Sequence, residues 1–353
     1  MGTTTRNVIG LMSGTSLDGI DLVYVQFDKK NILNFKITHA NTVSYSKFWL
    51  ENLQKSISFT SDRLQFLDLE YGQLLAKEII FFIEKYQIKN IDFIASHGHT
   101  VLHQPENGIT LQIGNGQVIS NLTQQKVICD FRLQDVKLGG QGAPLVPIGD
   151  QLLFSNYDAC LNLGGFSNVS FNEGDTRIAF DICPVNIVLN HYVNKLGFSY
   201  DDKGQIASTG NINRQLLEQL NALNFYKQSF PKSLGLEWVQ DKILPLIDSF
   251  QIEVKDILRT FVAHITFQIS KSVGHKKNIF ITGGGVFNSF LIEKLKECCF
   301  AEIIIPESEI IHYKEALIFA LLGLLRVDNQ VNCLKSVTGA SKDHSSGKIF
   351  IPK

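Results

Sequence analysis

The 353-residue chain lacks any appreciable net charge, since 33 basic and 34 acidic side chains leave −1 at neutral pH. No global field gathers nucleic acid or an anionic membrane, so any anion must be held by local chemistry. Long apolar runs are missing too. The densest, Ala316 to Leu325, is about half of the roughly 20 residues a membrane-crossing helix needs, and Gly323 interrupts it. Cysteine is sparse, and Cys129, Cys160, Cys183, Cys298, Cys299 and Cys333 form neither metal-ligand pairs nor a small disulfide framework. They read as reduced thiols. No apolar core follows Arg6 in MGTTTRNVIGLMSGTSLDG, so a signal peptide is not expected and a cytoplasmic location is. The Walker phosphate loop and the dinucleotide glycine pattern are also absent, which disfavours both nucleotide folds.

What is present is a chain of globular composition, 44% hydrophobic and 19% charged. Its length exceeds what one core usually supports, so two domains are expected. Strands are predicted at Val8 to Leu11, Ile20 to Phe27 and Phe35 to Asn41, the first two joined by a glycine-rich tip. A helix follows, with Tyr71, Leu75, Ile79, Phe82 and Tyr86 at spacings of three and four. Next come a strand at Ile91 to Ala95, the loop SHGHTVLHQP, and a further helix and strand ending at Cys129.

After the turn-rich stretch Gly139 to Pro147 the order starts again. Strands are read at Ala159 to Leu163, Val169 to Phe171 and Ile178 to Phe180. A helix carrying Leu258, Val262, Ile265, Ile269 and Val273 then leads to a strand at Ile279 to Thr282. The expected architecture is α/β, with ligands beyond strand ends. The expected domains are 1–134 and 135–325, with 326–353 either completing the first or forming a surface tail.

Three glycine turns follow apolar strands: SGTSLDGID (Ser13 to Asp21), LGGFSN (Leu163 to Asn168) and TGGGVFN (Thr282 to Asn288). Glycine lets successive backbone N–H groups face one concave site, which can hold a polyphosphate without excess positive charge, and the hydroxyls of Thr15, Ser16 and Ser167 would add donors. Each turn taken alone could equally be a hairpin reversal. Asp18 and Asp21 in the first turn are either metal-supporting acids or turn caps. Asp181, in AFDICPVN, is placed at a strand end with Pro184 in a first helical turn, making it the best candidate for a base, with helix capping as the competing role. Glu315 is read at the opening of an apolar helix, where the dipole alone favours an acid. His97, His99 and His103 lack zinc spacing and are read as ligand contacts or loop hydrogen bonds. Arg132, Asp135 and GGQGAPLVP offer either carboxylate and hydroxyl recognition or an ordinary salt bridge.

Taken in order, MSGTSLDGID, SHGHTVLHQP, DFRLQDVKLGGQGAPLVP, LNLGGFSNVS, FDICPVN, DDKGQIASTG, ITGGGVFN and KEALIFALLG resemble the anhydro-N-acetylmuramic acid kinases, from about Ile9 to about Leu325. The resemblance implies the two-domain actin-like ATPase (ribonuclease H-like) fold, with duplicated β-β-β-α-β-α cores and ATP and sugar in a central cleft. It implies an ATP- and Mg2+-dependent kinase that opens the 1,6-anhydro bridge with water and phosphorylates the six-position oxygen, with Asp181 as base. By the same carry-over, Gly14, Thr15, Ser16, Leu17, Asp18, Gly19, Ile20 and Asp21 cradle the ATP phosphates, and Gly164 and Gly165 their other side. Gly283, Gly284, Gly285 and Asn288 border the nucleoside, and Asp18 and Glu315 lie near the metal. Arg132 pairs with the sugar's carboxylate or nearby polar groups, with His97, Gly140, Gln141 and Gly142 close by. A homodimer is implied by the resemblance alone.

The chain departs from the family pattern at Ile182, Cys183 and Val185 after Asp181, at His99, at Gln134 and at Leu236. These departures leave a kinase of the same fold for another amino or anhydro sugar as an alternative. A non-catalytic nucleotide-binding sensor is a second, against which the intact Asp181 and Glu315 count.

Overall fold

The computed structural model describes residues 4–14 and 17–353, so Thr15 and Ser16 of the first glycine turn lie outside the described residues. The chain divides into two units, one of residues 1–153 and 313–353, the other of residues 154–312. The division falls after Leu153 and after His312 rather than at the 134/135 and 325/326 boundaries expected from sequence.

In the first unit, β-branched and aromatic runs form β1 (Thr5–Met12), β2 (Ile20–Asp28) and β3 (Phe35–Val43), paired antiparallel in that order. On the other side of β1 lie β4 (Phe93–Ser96), parallel to it, and beyond a hairpin of β5 (His99–Gln104) and β6 (Ile109–Ile113), β7 (Val127–Cys129), parallel to β4. SHGHTVLHQP is thus mostly a strand rather than a loop. The helix Ser61–Lys85 starts at a Thr60 cap and buries Tyr71, Leu75, Ile79 and Phe82 against this sheet's apolar face.

The second unit repeats the plan. Its strands are β8 (Ala159–Leu163), β9 (Phe166–Glu173), β10 (Thr176–Pro184), β11 (Asn278–Thr282) and β12 (Glu302–Ile304). The spatial order β10-β9-β8-β11-β12 matches β3-β2-β1-β4-β7, antiparallel among the first three and parallel thereafter. Leu258, Val262, Ile265, Ile269 and Val273 of the helix Val254–Val273 fill the core. The duplicated β-β-β-α-β-α order of the actin-like fold is therefore present in full.

Two later segments belong to the first unit. In the helix Ser308–Val327, the Ala316 carbonyl approaches β1 so closely that a Cβ at Gly10 would collide with it. The tail returns as β13 (Lys348–Phe350), antiparallel to β7, which settles the choice between a surface tail and a return.

Candidate functional site

In the first unit, the glycine turn between β1 and β2 is shaped by backbone that side chains rarely adopt. Leu17 has φ 62°, Gly19 has φ 150°, and a Cβ at Gly19 would lie 2.6 Å from the Val43 carbonyl. Ser13 anchors the turn by donating its buried hydroxyl to the Gly98 carbonyl at 2.8 Å. Ile20 is a core side chain, so only its backbone can face a ligand, whereas Asp18 is exposed. Asp21 accepts from Thr42 Oγ1 at 2.6 Å across the β2–β3 pairing.

The Gly98 carbonyl also accepts from His97 Nδ1 at 2.8 Å, and Arg132 Nε donates to His97 Nε2 at 3.0 Å. These two bonds define a neutral His97 with its proton on Nδ1. Burial, and then the Arg132 charge, hold His97 well below the usual imidazole range. Burial also pushes the Arg132 guanidinium down to about 10, against the favourable charges of Glu315, Cys333 and Asp135. Arg132 Nη1 donates to the Gly142 carbonyl at 2.7 Å, and Gly142 N–H donates to Asp135 Oδ2 at 2.7 Å. The Gly140 and Gln141 amides donate to the carbonyls of Asp135 and Thr338 at 2.9 and 2.7 Å. Asp135, fully buried, is therefore a structural pin for the Gly140–Gly142 turn rather than a surface salt-bridge partner.

The three histidines do not converge. His99 is buried beside Tyr71 with its pKa lowered to about 4 by burial, and His103 bonds Thr110 at 3.1 Å on the β5–β6 hairpin. Glu315 lies well inside the helix Ser308–Val327, too far from its start for the dipole to account for it. Although solvent-exposed, its carboxyl is crowded by protein, which raises its pKa; Lys314 and Arg132 pull it down, and Asp21 and Asp150 push it up. Its neighbour Lys314 makes a buried 2.8 Å ion pair with Asp150.

In the second unit, Asp181 lies within β10, beside a bulge between Asp181 and Cys183. The strand runs on to Pro184, so this proline ends a strand instead of opening a helix. Asp181 is not a cap: the helix Asn186–Asn194 starts at Val185 without a side-chain cap, its first amides donating to the Gly164 and Gly165 carbonyls at 2.8–3.3 Å. Asp181 Oδ2 instead accepts from Leu234 N–H at 2.8 Å, and its own N–H donates to the Lys232 carbonyl at 3.1 Å. Burial raises its pKa, partly offset by the Leu234 bond. Ile182, Cys183 and Val185, the residues that depart from the family pattern, are buried in the core. Ser167 is no free donor, because its hydroxyl bonds the Cys183 backbone at 3.0 and 3.2 Å.

The third glycine turn borders a cavity of about 380 Å³. Gly283 has φ 88°, and its Cβ would lie 2.6 Å from Asn162 Oδ1 and 2.7 Å from the Leu163 carbonyl. Gly285 is likewise pressed on Leu163, whereas Gly284 faces open space. Asn288 accepts from Leu291 N–H at 3.0 Å, capping the helix Ser289–Cys298 while lining the cavity. Asn186, Asn190, Tyr200, Asp202 and Lys203 complete the polar lining and were not singled out from sequence. The DDKGQ motif carried that signal. A cavity of this size, lined by these polar groups together with Phe287 and Leu189, suits an aromatic base with hydroxyls.

The model of the anhydro-N-acetylmuramic acid kinase family matches residues 6–352. A Shewanella denitrificans protein named anhydro-N-acetylmuramic acid kinase is 34% identical, over 98% of this chain and 98% of its own. One of the same name from Acinetobacter baylyi is 32% identical, over 98% of this chain and 99% of its own. Among solved structures, component A of (R)-2-hydroxyglutaryl-CoA dehydratase from Acidaminococcus fermentans is similar with a TM-score of 0.48 and 13% identity, over 90% of this chain and 96% of that one.

Proposed function

The chain belongs to the anhydro-N-acetylmuramic acid kinase family, and from that premise we propose that it converts 1,6-anhydro-N-acetylmuramic acid, ATP and water to N-acetylmuramic acid 6-phosphate and ADP. The observation that carries the chemistry is Asp181: a partly buried carboxylate, turned by Leu234 N–H, whose pKa burial raises. A carboxylate of raised pKa is a better proton acceptor.

Asp181 takes a proton from a water that attacks the anomeric carbon. The bond from that carbon to the bridging oxygen breaks, and its electron pair stays on the oxygen. This oxygen bonds the γ-phosphorus of ATP as the bond to the β-phosphate oxygen breaks, giving ADP. The proton on Asp181 then passes to solvent. Arg132, aimed by His97 and the Gly142 carbonyl, holds the sugar's carboxylate, with Gly140, Gln141 and Gly142 beside it. By the family resemblance, the first glycine turn is assigned to the phosphates, as are Gly164 and Gly165, and Gly283 to Gly285 and Asn288 to the nucleoside, Gly284 and Asn288 lining the cavity of the second unit.

The donor set fits Mg2+. Glu315 is a solvent-reaching carboxylate whose pKa is raised by the protein crowded around it, against the pull of Lys314 and Arg132 and with a smaller push from Asp21 and Asp150; together with Asp18, exposed in the turn before Asp21, it offers the hard oxygen donors that Mg2+ takes. When bound, the ion neutralises charge on the transferring phosphates. No helix of the described residues is long and apolar enough to cross a membrane, and the reading places the enzyme in the cytoplasm, acting on a small sugar. The homodimer implied by family resemblance is checked by light scattering.

A second sugar is the alternative that the changed residues after Asp181 raise, but their side chains fill the core. Release of ADP, measured with a panel of amino and anhydro sugars, decides between the two. ADP should form one for one with loss of the anhydro sugar, and faster turnover of another sugar, or release without any, would overturn the assignment.

A further inference from the structure

The first unit contains a cluster of buried polar groups that the proposed reaction does not use. Cys333 and His344 form an isolated antiparallel bridge, each N–H donating to the other's carbonyl at 3.1 and 3.2 Å. Their side chains meet Asp135, which comes from the helix Leu133–Lys137. The three residues are 1%, 5% and 0% exposed, and Sγ, an imidazole nitrogen and a carboxylate oxygen all lie within 4.8 Å of one another.

Two details go beyond proximity. His344 Nδ1 is 3.1 Å from the Lys342 carbonyl, so that nitrogen carries a proton, and in the neutral imidazole Nε2 presents a lone pair. Nε2 has no hydrogen-bond partner and lies 3.5 Å from Asp135 Oδ1, lone pair facing carboxylate, an arrangement that is repulsive unless a cation or a proton sits between them. Binding of one ring N–H to a backbone carbonyl is also how metal-ligating histidines are commonly oriented. Cys333 Sγ is 3.1 Å from the same carboxylate oxygen. In a tetrahedron with zinc-type bond lengths the nitrogen–oxygen edge is about 3.4 Å, close to the His344–Asp135 separation, and the sulfur–oxygen edge about 3.5 Å, so the Cys333 thiol, which now donates to Oδ1, would move back by a few tenths of an ångström as it exchanges its proton for the metal.

We propose that Asp135, Cys333 and His344 form a structural site for a divalent metal of the zinc class. A Cys, His and Asp donor set suits such an ion. On binding, the Cys333 thiol releases its proton to solvent and the thiolate bonds the metal, as do Nε2 of His344 and Oδ1 of Asp135. Asp135 Oδ2 stays on Gly142 N–H, and the fourth position goes to water or to the Thr338 hydroxyl, now 2.7 Å from Oδ1. A dication with one thiolate and one carboxylate is neutral. The ion would tie the Cys333–His344 tail to the helix that positions Arg132.

The test uses the full-length protein, stripped with a chelator, dialysed against micromolar Zn2+ and analysed for bound metal. About one equivalent is expected, with an unfolding temperature that rises on loading. Loading with Co2+ should give a thiolate-to-cobalt charge-transfer absorption that Cys333→Ser abolishes and that a serine at the exposed Cys298 leaves intact. Less than about a tenth of an equivalent of Zn2+ in the unaltered protein, or a cobalt complex without that absorption, overturns the site. So does loss of the absorption in Cys298→Ser. Should Cys333→Ser fail to fold, the stoichiometry and cobalt spectrum of the unaltered protein still decide.

Discussion

Replacing His97 by Phe isolates one link in the chain that aims Arg132. The ring is 4% exposed and packs 4.6 Å from Phe319, so phenylalanine keeps the volume and the aromatic contact. The Gly98 carbonyl keeps the Ser13 hydroxyl. What is lost is the acceptor for Arg132 Nε at 3.0 Å, leaving the guanidinium held by the Gly142 carbonyl at 2.7 Å. A hydrogen bond to a charged group contributes about 1.5–3 kcal/mol. Expressed wholly in sugar binding, that is roughly a ten- to 150-fold rise in KM, with kcat changed much less. His97→Gln, whose side-chain carbonyl can accept from Nε, should recover part of the loss. The assay is steady-state ADP release against sugar concentration at saturating ATP, with the circular dichroism of each variant as a control for folding. A folded Phe variant whose KM stays within about twofold of the parent, below the smallest effect worked out above, refutes the reasoning that His97 positions Arg132 for the sugar.

Three further outcomes are expected. Asp181→Asn should lower kcat by about 10²–10⁴ while ATP still binds by calorimetry, and in the parent the acid limb of kcat should lie above that of an ordinary aspartate, because burial raises this carboxyl. Gly283→Ala should destabilise the fold by about 2–4 kcal/mol in urea titrations, from positive φ and backbone collision, whereas Gly284→Ala, with open space around it, should leave stability alone and weaken nucleotide binding. His97, His99 and His264 all have folded pKa values depressed by burial, to about 4 for His99 and about 3 for His264. Below the unfolded value of about 6.5 the unfolded chain takes up protons that the native one refuses, so stability falls with pH, by about 3–4 kcal/mol from pH 7 to 5.5 for three such groups. A urea midpoint unchanged over that range contradicts this.

Much of the fold is legible because it rests on local periodicity. The hairpin β1–β2 and the helix Ser61–Lys85 follow from β-branched runs and from apolar spacings of three and four, and the structure has both. The β5–β6 hairpin is not legible, since HTVLHQ is short, bounded by turn residues and pairs through a bulge with a segment chosen by tertiary contact. Asp181 could be picked out, but not its orienting partner Leu234, which is 53 residues away. The same distance problem hides the Asp135–Cys333 contact, 198 residues apart, and leaves DDKGQ without a role until Lys203 and Asp202 are seen in the wall of a cavity. Ser167 shows the converse, a hydroxyl beside a glycine turn that reads as a phosphate donor and is consumed by its own sheet.

The most direct test of the central claim is mass spectrometry of 1,6-anhydro-N-acetylmuramic acid after incubation with the protein, ATP and Mg2+. A single product heavier by one water and one phosphoryl group is expected. A product heavier by the phosphoryl group alone, or an unchanged sugar beside ADP and inorganic phosphate, would contradict it.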